Sequence, residues 1–303
     1  MKGNDAIISQ ILQRKRKRFW YFSLAIVFLL ILAVVLPVAF VFSRRRHPKG
    51  LKSTVLVPLY IYPVPGAWEP LHNAIVARPN LNFTVIINPD SGPGSTPYPS
   101  SEYTSEIQRL NVYPNVRTIG YVRTGYAERN LTEVLDDIST YSGWAVNPNA
   151  TDQAVHGIFF DETPNEYTSE VSDYLKTINQ AAKNAAGLLP DRTIIHNPGS
   201  IPDARLTDAD VDITVAFEGS YQDYQEDSSS KSLRARLASL PYDRSRVSSI
   251  MFSVRTGMSQ GDRRSLADEL SQHAEFLYLT DLGQDYYESF GPHFQDFIAA
   301  IPT

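Results

Sequence analysis

Gly157-Ile158-Phe159-Phe160-Asp161-Glu162 is an apolar run that ends in two adjacent acids, and Thr163-Pro164-Asn165-Glu166 follows at once. The first stretch reads as a strand. The second reads as a helix start, with Thr163 as N-cap, Pro164 at the first helical position and Glu166 closing a capping box. Val171, Tyr174, Leu175, Ile178 and Ala182 then share one helical face, and Gly187 suits the stop. The segment is therefore a strand, a pair of carboxylates and an amphipathic crossover helix.

The same unit recurs along the chain. Short apolar or β-branched runs stand at Thr54–Tyr62, Phe83–Asn88, Val116–Val122, Gly157–Asp161, Thr193–Asn197, Asp212–Glu218, Val247–Val254 and Glu275–Thr280. The segments between them are long enough for helices. Eight strand–helix units in about 250 residues predict an α/β fold, a (β/α)8 TIM barrel. An open doubly wound sheet is the competing fold. Against it, Pro63-Val64-Pro65-Gly66 after the first run lacks a GxGxxG phosphate loop, and no Walker sequence occurs. Gly92-Pro93-Gly94 is a turn, because proline removes an amide that a phosphate cradle would need.

Barrel chemistry sits at the C-terminal ends of the strands. Those positions carry Tyr60 and Tyr62, Asn88 and Asp90, Arg123, Asp161 and Glu162, His196 and Asn197, Glu218, Arg255, and Thr280 with Asp281. Carboxylates amid amides and tyrosines suit a carbohydrate, with acids for the chemistry and polar or aromatic groups for the sugar. Asp161, Glu162 and Glu218 are the candidate catalytic residues. Tyr60, Tyr62, Asn88, Arg123, His196, Asn197 and Asp281 are the candidate sugar-binding residues. An acid after a strand can serve only to favour a helix N-terminus, but two acids ending so apolar a run weigh toward function.

Strict alternation along Val215-Ala216-Phe217-Glu218-Gly219 puts Ile213, Val215 and Phe217 toward the helices, and Thr214, Ala216 and Glu218 toward the axis. The same parity turns Asp161 inward with Phe159. Asp161 and Glu218 are thus the expected pair, about 5–6 Å apart as in retaining glycosidases rather than the roughly 6.5–9.5 Å of inverting ones. Parity does not decide their roles; Asp161 is taken as nucleophile and Glu218 as acid/base, with the reverse assignment open. Glu162 would tune a neighbouring pKa or grip the sugar. His156 and His196 have no partner at metal-ligand spacing, so each also reads as a core or surface histidine, and no metal or cofactor is expected. Trp68 and Tyr286-Tyr287 read as packing aromatics. The absence of GxSxG argues against an esterase triad.

The 303 residues are 43% hydrophobic and 20% charged, with a net charge of −5 and no cysteine. That composition excludes wholesale disorder, disulfide scaffolds and thiol chemistry. The charge is split, with 10 Lys/Arg against one acid up to Gly50 and 18 against 32 beyond it. So acidic a body is a poor partner for nucleic acid. Phe19–Phe42 is apolar except for Ser23 and Pro37, and is flanked by Arg14-Lys15-Arg16-Lys17-Arg18 and Arg44-Arg45-Arg46. It is too long for a cleavable signal peptide and long enough to span a bilayer. The chain is therefore divided into a cytosolic basic tail (1–18), a transmembrane signal anchor (19–42), a linker (43–53) and the barrel (54–303). The stronger N-terminal flank predicts a single-pass type II protein with its barrel luminal or extracellular. Sequons at Asn82, Asn130 and Asn149 fit that side as glycosylation sites. The barrel is expected to act as a monomer.

Val57-Pro58-Leu59-Tyr60-Ile61-Tyr62-Pro63, Ile87-Asn88-Pro89, Gly157-Ile158-Phe159-Phe160-Asp161-Glu162 and Phe217-Glu218 together resemble the spherulin 4 (spherulation-specific) family, and within it the fungal glycoside hydrolase family 135. The resemblance runs from Thr54 to the end and includes the anchor. It implies a (β/α)8 glycosidase acting inside chains of α-1,4-linked galactosamine and N-acetylgalactosamine, the galactosaminogalactan of fungal cell wall and biofilm. The family's acidic pair matches Asp161 and Glu162, and its third acid matches Glu218. A sugar-binding barrel without turnover and a metal-dependent deacetylase are the competing readings. Intact acids at three positions weigh against the first, and the lack of a His/Asp ligand set against the second.

Overall fold

Each of the eight apolar runs becomes a strand, and the strands pair in parallel, in chain order, into one closed barrel. The computed structural model describes residues 49–226, 233–238, 240 and 242–303. The strands are β1 (Thr54–Leu59), β2 (Asn82–Ile87), β3 (Val116–Arg123), β4 (Gly157–Asp161), β5 (Thr193–Asn197), β6 (Ile213–Ser220), β7 (Val247–Phe252) and β8 (Phe276–Leu279). Between them run α1 (Glu69–Ala77), α2 (Ser101–Asn111), α3 (Leu131–Gly143), α4 (Ser169–Asn184), the short α5 (Tyr221–Glu226) and α6 (Leu233–Ala238), and α7 (Gln260–Leu270); α8 (Phe294–Ala300) follows β8. The expected TIM barrel is therefore present. The apolar run 19–42 lies outside the described residues, and among those described no helix is long and apolar enough to cross a membrane.

Side chains from facing strands fill the barrel below its mouth. Ile86 pairs in register with Ile119, and Tyr121 with Phe159, which in turn pairs with Ile195. All are buried, so the interior is a packed core rather than a channel. Gly120 lies under the Tyr141 ring of α3, and a Cβ there would stand 2.7 Å from ring carbons. That close approach lets the Tyr141 hydroxyl donate to the Ile87 carbonyl and accept from the Tyr121 amide, tying α3 to two strands.

Two local expectations need correction. The helix after β4 begins at Ser169, and Thr168, not Thr163, caps it by accepting from the Val171 amide. Asn165 instead bonds across to the loop after β5, through Ser200 Oγ and the Asp203 amide, so Pro164 and Asn165 belong to the barrel mouth. The helix ends at Asn184, three residues before Gly187. Alternation also fails along β6, where the register shifts between Val215 and Phe217. Ile213 pairs with Ile195 and Thr214 with His196, so Ile213 and Val215 face the axis and Thr214 faces the helices. The bulge at Ala216 then reverses the faces, leaving Phe217 against Tyr224 outside and Glu218 inside. Bulges next to sites commonly re-aim a side chain in this way.

Candidate active site

The C-terminal mouth of the barrel opens into a cleft of about 590 Å³. Asp161 ends β4, Asn197 ends β5 and Glu218 stands near the end of β6, so three consecutive strands deliver three polar groups to its floor. The Asn197 Nδ2 donates to Asp161 Oδ1 at 2.7 Å and to Glu218 Oε2 at 2.6 Å. Two bonds from one nitrogen hold the nearest oxygens of the two carboxyl groups no more than about 5.3 Å apart, within reach of the spacing of retaining glycosidases.

The amide cannot turn over freely. Asn197 Oδ1 accepts from the Gly199 amide at 3.0 Å, which directs Nδ2 at the acids. Gly199 has φ +63°, a left-handed backbone that a side chain would strain, and its carbonyl accepts from the Glu218 amide. One short turn thus sets both the amide and the strand bearing Glu218.

The outer oxygens are held by tyrosines. Tyr121 of β3 donates to Asp161 Oδ2 at 2.7 Å, and Tyr287, from the loop after β8, donates to Glu218 Oε1 at 2.5 Å. Tyr60 at the end of β1 is wedged between them, with ring centroids 5.4 Å from Tyr121 and 5.3 Å from Tyr287, edge to face. Burial pushes both carboxyls above the usual range, against these donors; the charge of Asp161 raises Glu218 further, and that of Glu162 raises Asp161. Asp161 also has its charged form favoured by the Glu162 backbone amide, a donor with no counterpart at Glu218. Burial beside the two acids drives the Tyr60, Tyr121 and Tyr287 hydroxyls well above their ordinary values, so all three remain protonated donors.

Glu162 also lines the cleft. Its φ of +53° is left-handed, and its carbonyl accepts from the Tyr126 amide and from Thr124 Oγ1. This non-glycine strain at a mouth carrying polar groups is typical of functional loops. Its carboxylate meets Arg123 Nε at 2.8 Å on the exposed rim.

Of the expected sugar-binding residues, Tyr60 and Asn197 line the cleft, and Arg123 stands on its rim through Glu162. Four are placed elsewhere. His196 points outward to α4, where Nε2 donates to Asn179 Oδ1, and burial lowers its pKa to about 4. Asn88 closes a turn by accepting from the Gly92 amide. Tyr62 is exposed and packs edge-on to Tyr103 over the start of α2. Asp281 is buried against His293 Nδ1 at 2.7 Å, joining the two ends of the loop that carries Tyr287. Trp68 is a packing residue as read, its indole bonded to the Ile61 carbonyl. Tyr286-Tyr287 is more than packing. Tyr286 stacks on Phe252 at 4.3 Å in the cleft wall while Tyr287 reaches Glu218. Tyr126, Asp285 and Glu288 complete the rim. Among the described residues no cluster of three or more His, Asp or Glu could hold a metal.

Comparison with known proteins gives a family, a curated relative and a similar solved structure. The model of the spherulation-specific family 4, Spherulin4, matches residues 54–301. Spherulin-4 of Physarum polycephalum is 34% identical over 184 residues, 61% of this chain and 48% of that protein, so the chain spans about half the length of this curated relative. The crystal structure of Aspergillus clavatus Sph3 in complex with GalNAc is similar over 84% of this chain and 97% of that one, at 42% identity and a TM-score of 0.77.

Proposed function

The chain belongs to the spherulation-specific family 4, and from that premise we propose that it is an endo-acting glycoside hydrolase cleaving α-1,4-linked N-acetylgalactosamine and galactosamine regions of galactosaminogalactan. The observation that carries the reading is the single Asn197 nitrogen joining Asp161 to Glu218 on the cleft floor. The GalNAc bound by the similar Sph3 supports the sugar class, and an open cleft supports attack within a polymer.

Asp161, the acid with the extra backbone donor, is the nucleophile; its three donors occupy three of the four carboxylate lone pairs and leave one for attack. It attacks the anomeric carbon, and the electron pair of the breaking glycosidic bond goes to the leaving oxygen. That oxygen takes its proton from Glu218. Water then attacks the same carbon while Glu218 recovers a proton from it, and the ester's electron pair returns to Asp161 as the sugar leaves. Glu162 grips the sugar at the rim, with Arg123 offsetting its charge. The same reading has the barrel luminal or extracellular, anchored by 19–42 and glycosylated at Asn82, Asn130 and Asn149, all three of which are exposed.

The test is digestion of purified galactosaminogalactan by the detergent-solubilised full-length chain, with products identified by mass. Oligosaccharides of several lengths are expected. Monosaccharide alone would refute endo action, and an intact polymer that still binds the chain would mark a sugar-binding barrel instead.

A further inference from the structure

The geometry points to Tyr287 and Tyr121 as two positioning residues with different tasks, Tyr287 as the switchable partner of the proton carried by Glu218 and Tyr121 as a fixed donor to Asp161. The inference rests on the catalytic pair proposed above, and adds which oxygen carries the proton and what steers it.

Both hydrogens of the Asn197 amide are committed, one to Asp161 Oδ1 and one to Glu218 Oε2, and the Gly199 amide prevents the group from turning over. An oxygen that accepts from an N–H at 2.6 Å has no room for a proton of its own on that side. A proton on Glu218 therefore resides on Oε1, the oxygen that faces Tyr287. A phenol hydroxyl both donates and accepts. Tyr287 donates to Oε1 when Glu218 is ionised, and turns to accept from it, or yields to the leaving oxygen, when Glu218 is protonated. Loop attachment suits that exchange. Tyr287 is carried between Asp281 and His293, whose side chains bond to each other, and its carbonyl accepts from the Tyr60 amide.

Tyr121 differs in its support. It stands within β3, buried, with its amide bonded to Tyr141 and its ring against Tyr60 and Phe159. It keeps one oxygen of Asp161 hydrogen-bonded throughout, which favours the charged form that a nucleophile needs.

The other ionisable groups around the pair are Tyr60 just after β1, Glu162 on the turn after β4, bonded to Arg123, and Tyr286 beside Tyr287. Asp285 and Glu288, on the same loop as Tyr287, add two acids at the rim. Neither Tyr287→Phe nor Tyr121→Phe removes any of these groups, and the rings that pack remain.

The experiment reads the two carboxyls directly. Full-length chain labelled with 13C at Asp and Glu carboxyls is titrated by NMR without substrate, with Asp161→Asn and Glu218→Gln assigning the signals. Tyr287→Phe is expected to raise the midpoint of Glu218 by about half a pH unit, because its hydroxyl bonds to both forms and the bond to the charged one is worth more, and to leave Asp161 within a few tenths. Tyr121→Phe is expected to raise the midpoint of Asp161 by about one pH unit, the worth of one hydrogen bond made to the charged form alone, and to leave Glu218 within a few tenths. In pH–rate profiles on the polymer, Tyr287→Phe should move the basic limb upward and Tyr121→Phe the acidic limb. Thermal unfolding of both variants confirms that they fold. Midpoints that move together, or not at all, overturn the inference. The titration needs no turnover, so an inactive wild type would refute the proposed function while leaving this test intact.

Discussion

Asp161 and Glu218 occupy a cleft floor that costs the protein stability. Both carboxyls hold their protons more tightly in the fold than in the unfolded chain, chiefly because burial penalises the charge. A group raised in this way supports the fold fully below its unfolded value, and that support is lost as pH rises through the folded value. At neutral pH the pair is therefore a liability kept for its chemistry. Asp161→Asn and Glu218→Gln should each lower turnover at least ~100-fold. Each should also raise the melting temperature at pH 7 by about 2–4 °C, the effect of roughly 1 kcal/mol in a domain of this size. The neighbouring tyrosine hydroxyls can turn to accept from the new amide. The gain should vanish near pH 3, where the wild-type acids are protonated as well. A lower melting temperature at pH 7 would mean that the hydrogen bonds, not burial, dominate the ionisation of the pair.

Strand faces decide which polar residues meet the cleft. His196 and Asn197 are adjacent on β5, yet Asn197 bridges the acids while His196 bonds to Asn179, which in turn donates to Asp208. Kept neutral by burial, with a folded value of about 4 against an ordinary 6.5, His196 stabilises the fold above pH ~6.5. That support is lost as pH falls toward 4, and amounts to on the order of 3 kcal/mol. His196→Gln should flatten the fall in urea-unfolding stability between pH 6.5 and 4; an unchanged slope would assign the acid sensitivity to another group. Elements of this kind were only partly legible in the sequence. Apolar runs mark strands because a barrel buries both strand faces, and all eight were readable for that reason. Asp161 and Glu218 were readable as the first polar residues after such runs. Glu218 nevertheless reaches the axis through the Ala216 bulge, which no periodicity announces. Alternation also separates His196 from Asn197, a distinction that listing strand-end residues does not make. Tyr287 was missed because it lies in a loop, where no period says which of two adjacent tyrosines turns inward.

On the scale of the whole molecule, the residues leading into β1 are part of the barrel's lower face. Residues 49–53 fall in the segment read as a linker, yet they are bonded to the barrel. The Lys49 carbonyl accepts from Gln272 Nε2, the Leu51 amide donates to Ser271 Oγ, and the Lys52 carbonyl accepts from Arg244 Nη2. The Ser53 amide donates to the Pro302 carbonyl, and Arg78 holds the carbonyls of Ile298 and Ile301 nearby. First and last residues of the barrel are thus tied together at the N-terminal ends of the strands, opposite the cleft. A chain beginning at residue 49 keeps all of these bonds, and one beginning at Ser53 loses the first three. With each net bond contributing about 0.5–1.5 kcal/mol, the shorter chain should be less stable by roughly 2 kcal/mol. It should melt about 4–8 °C lower. Turnover of the polymer at 25 °C should be the same for both, because no lost bond touches the cleft floor. Equal melting temperatures would make residues 49–52 a passive tether. Unequal turnover would mean instead that the lower face is coupled to Asp161 and Glu218 through the packed barrel interior, a link that the local character of both hydrogen-bond networks argues against.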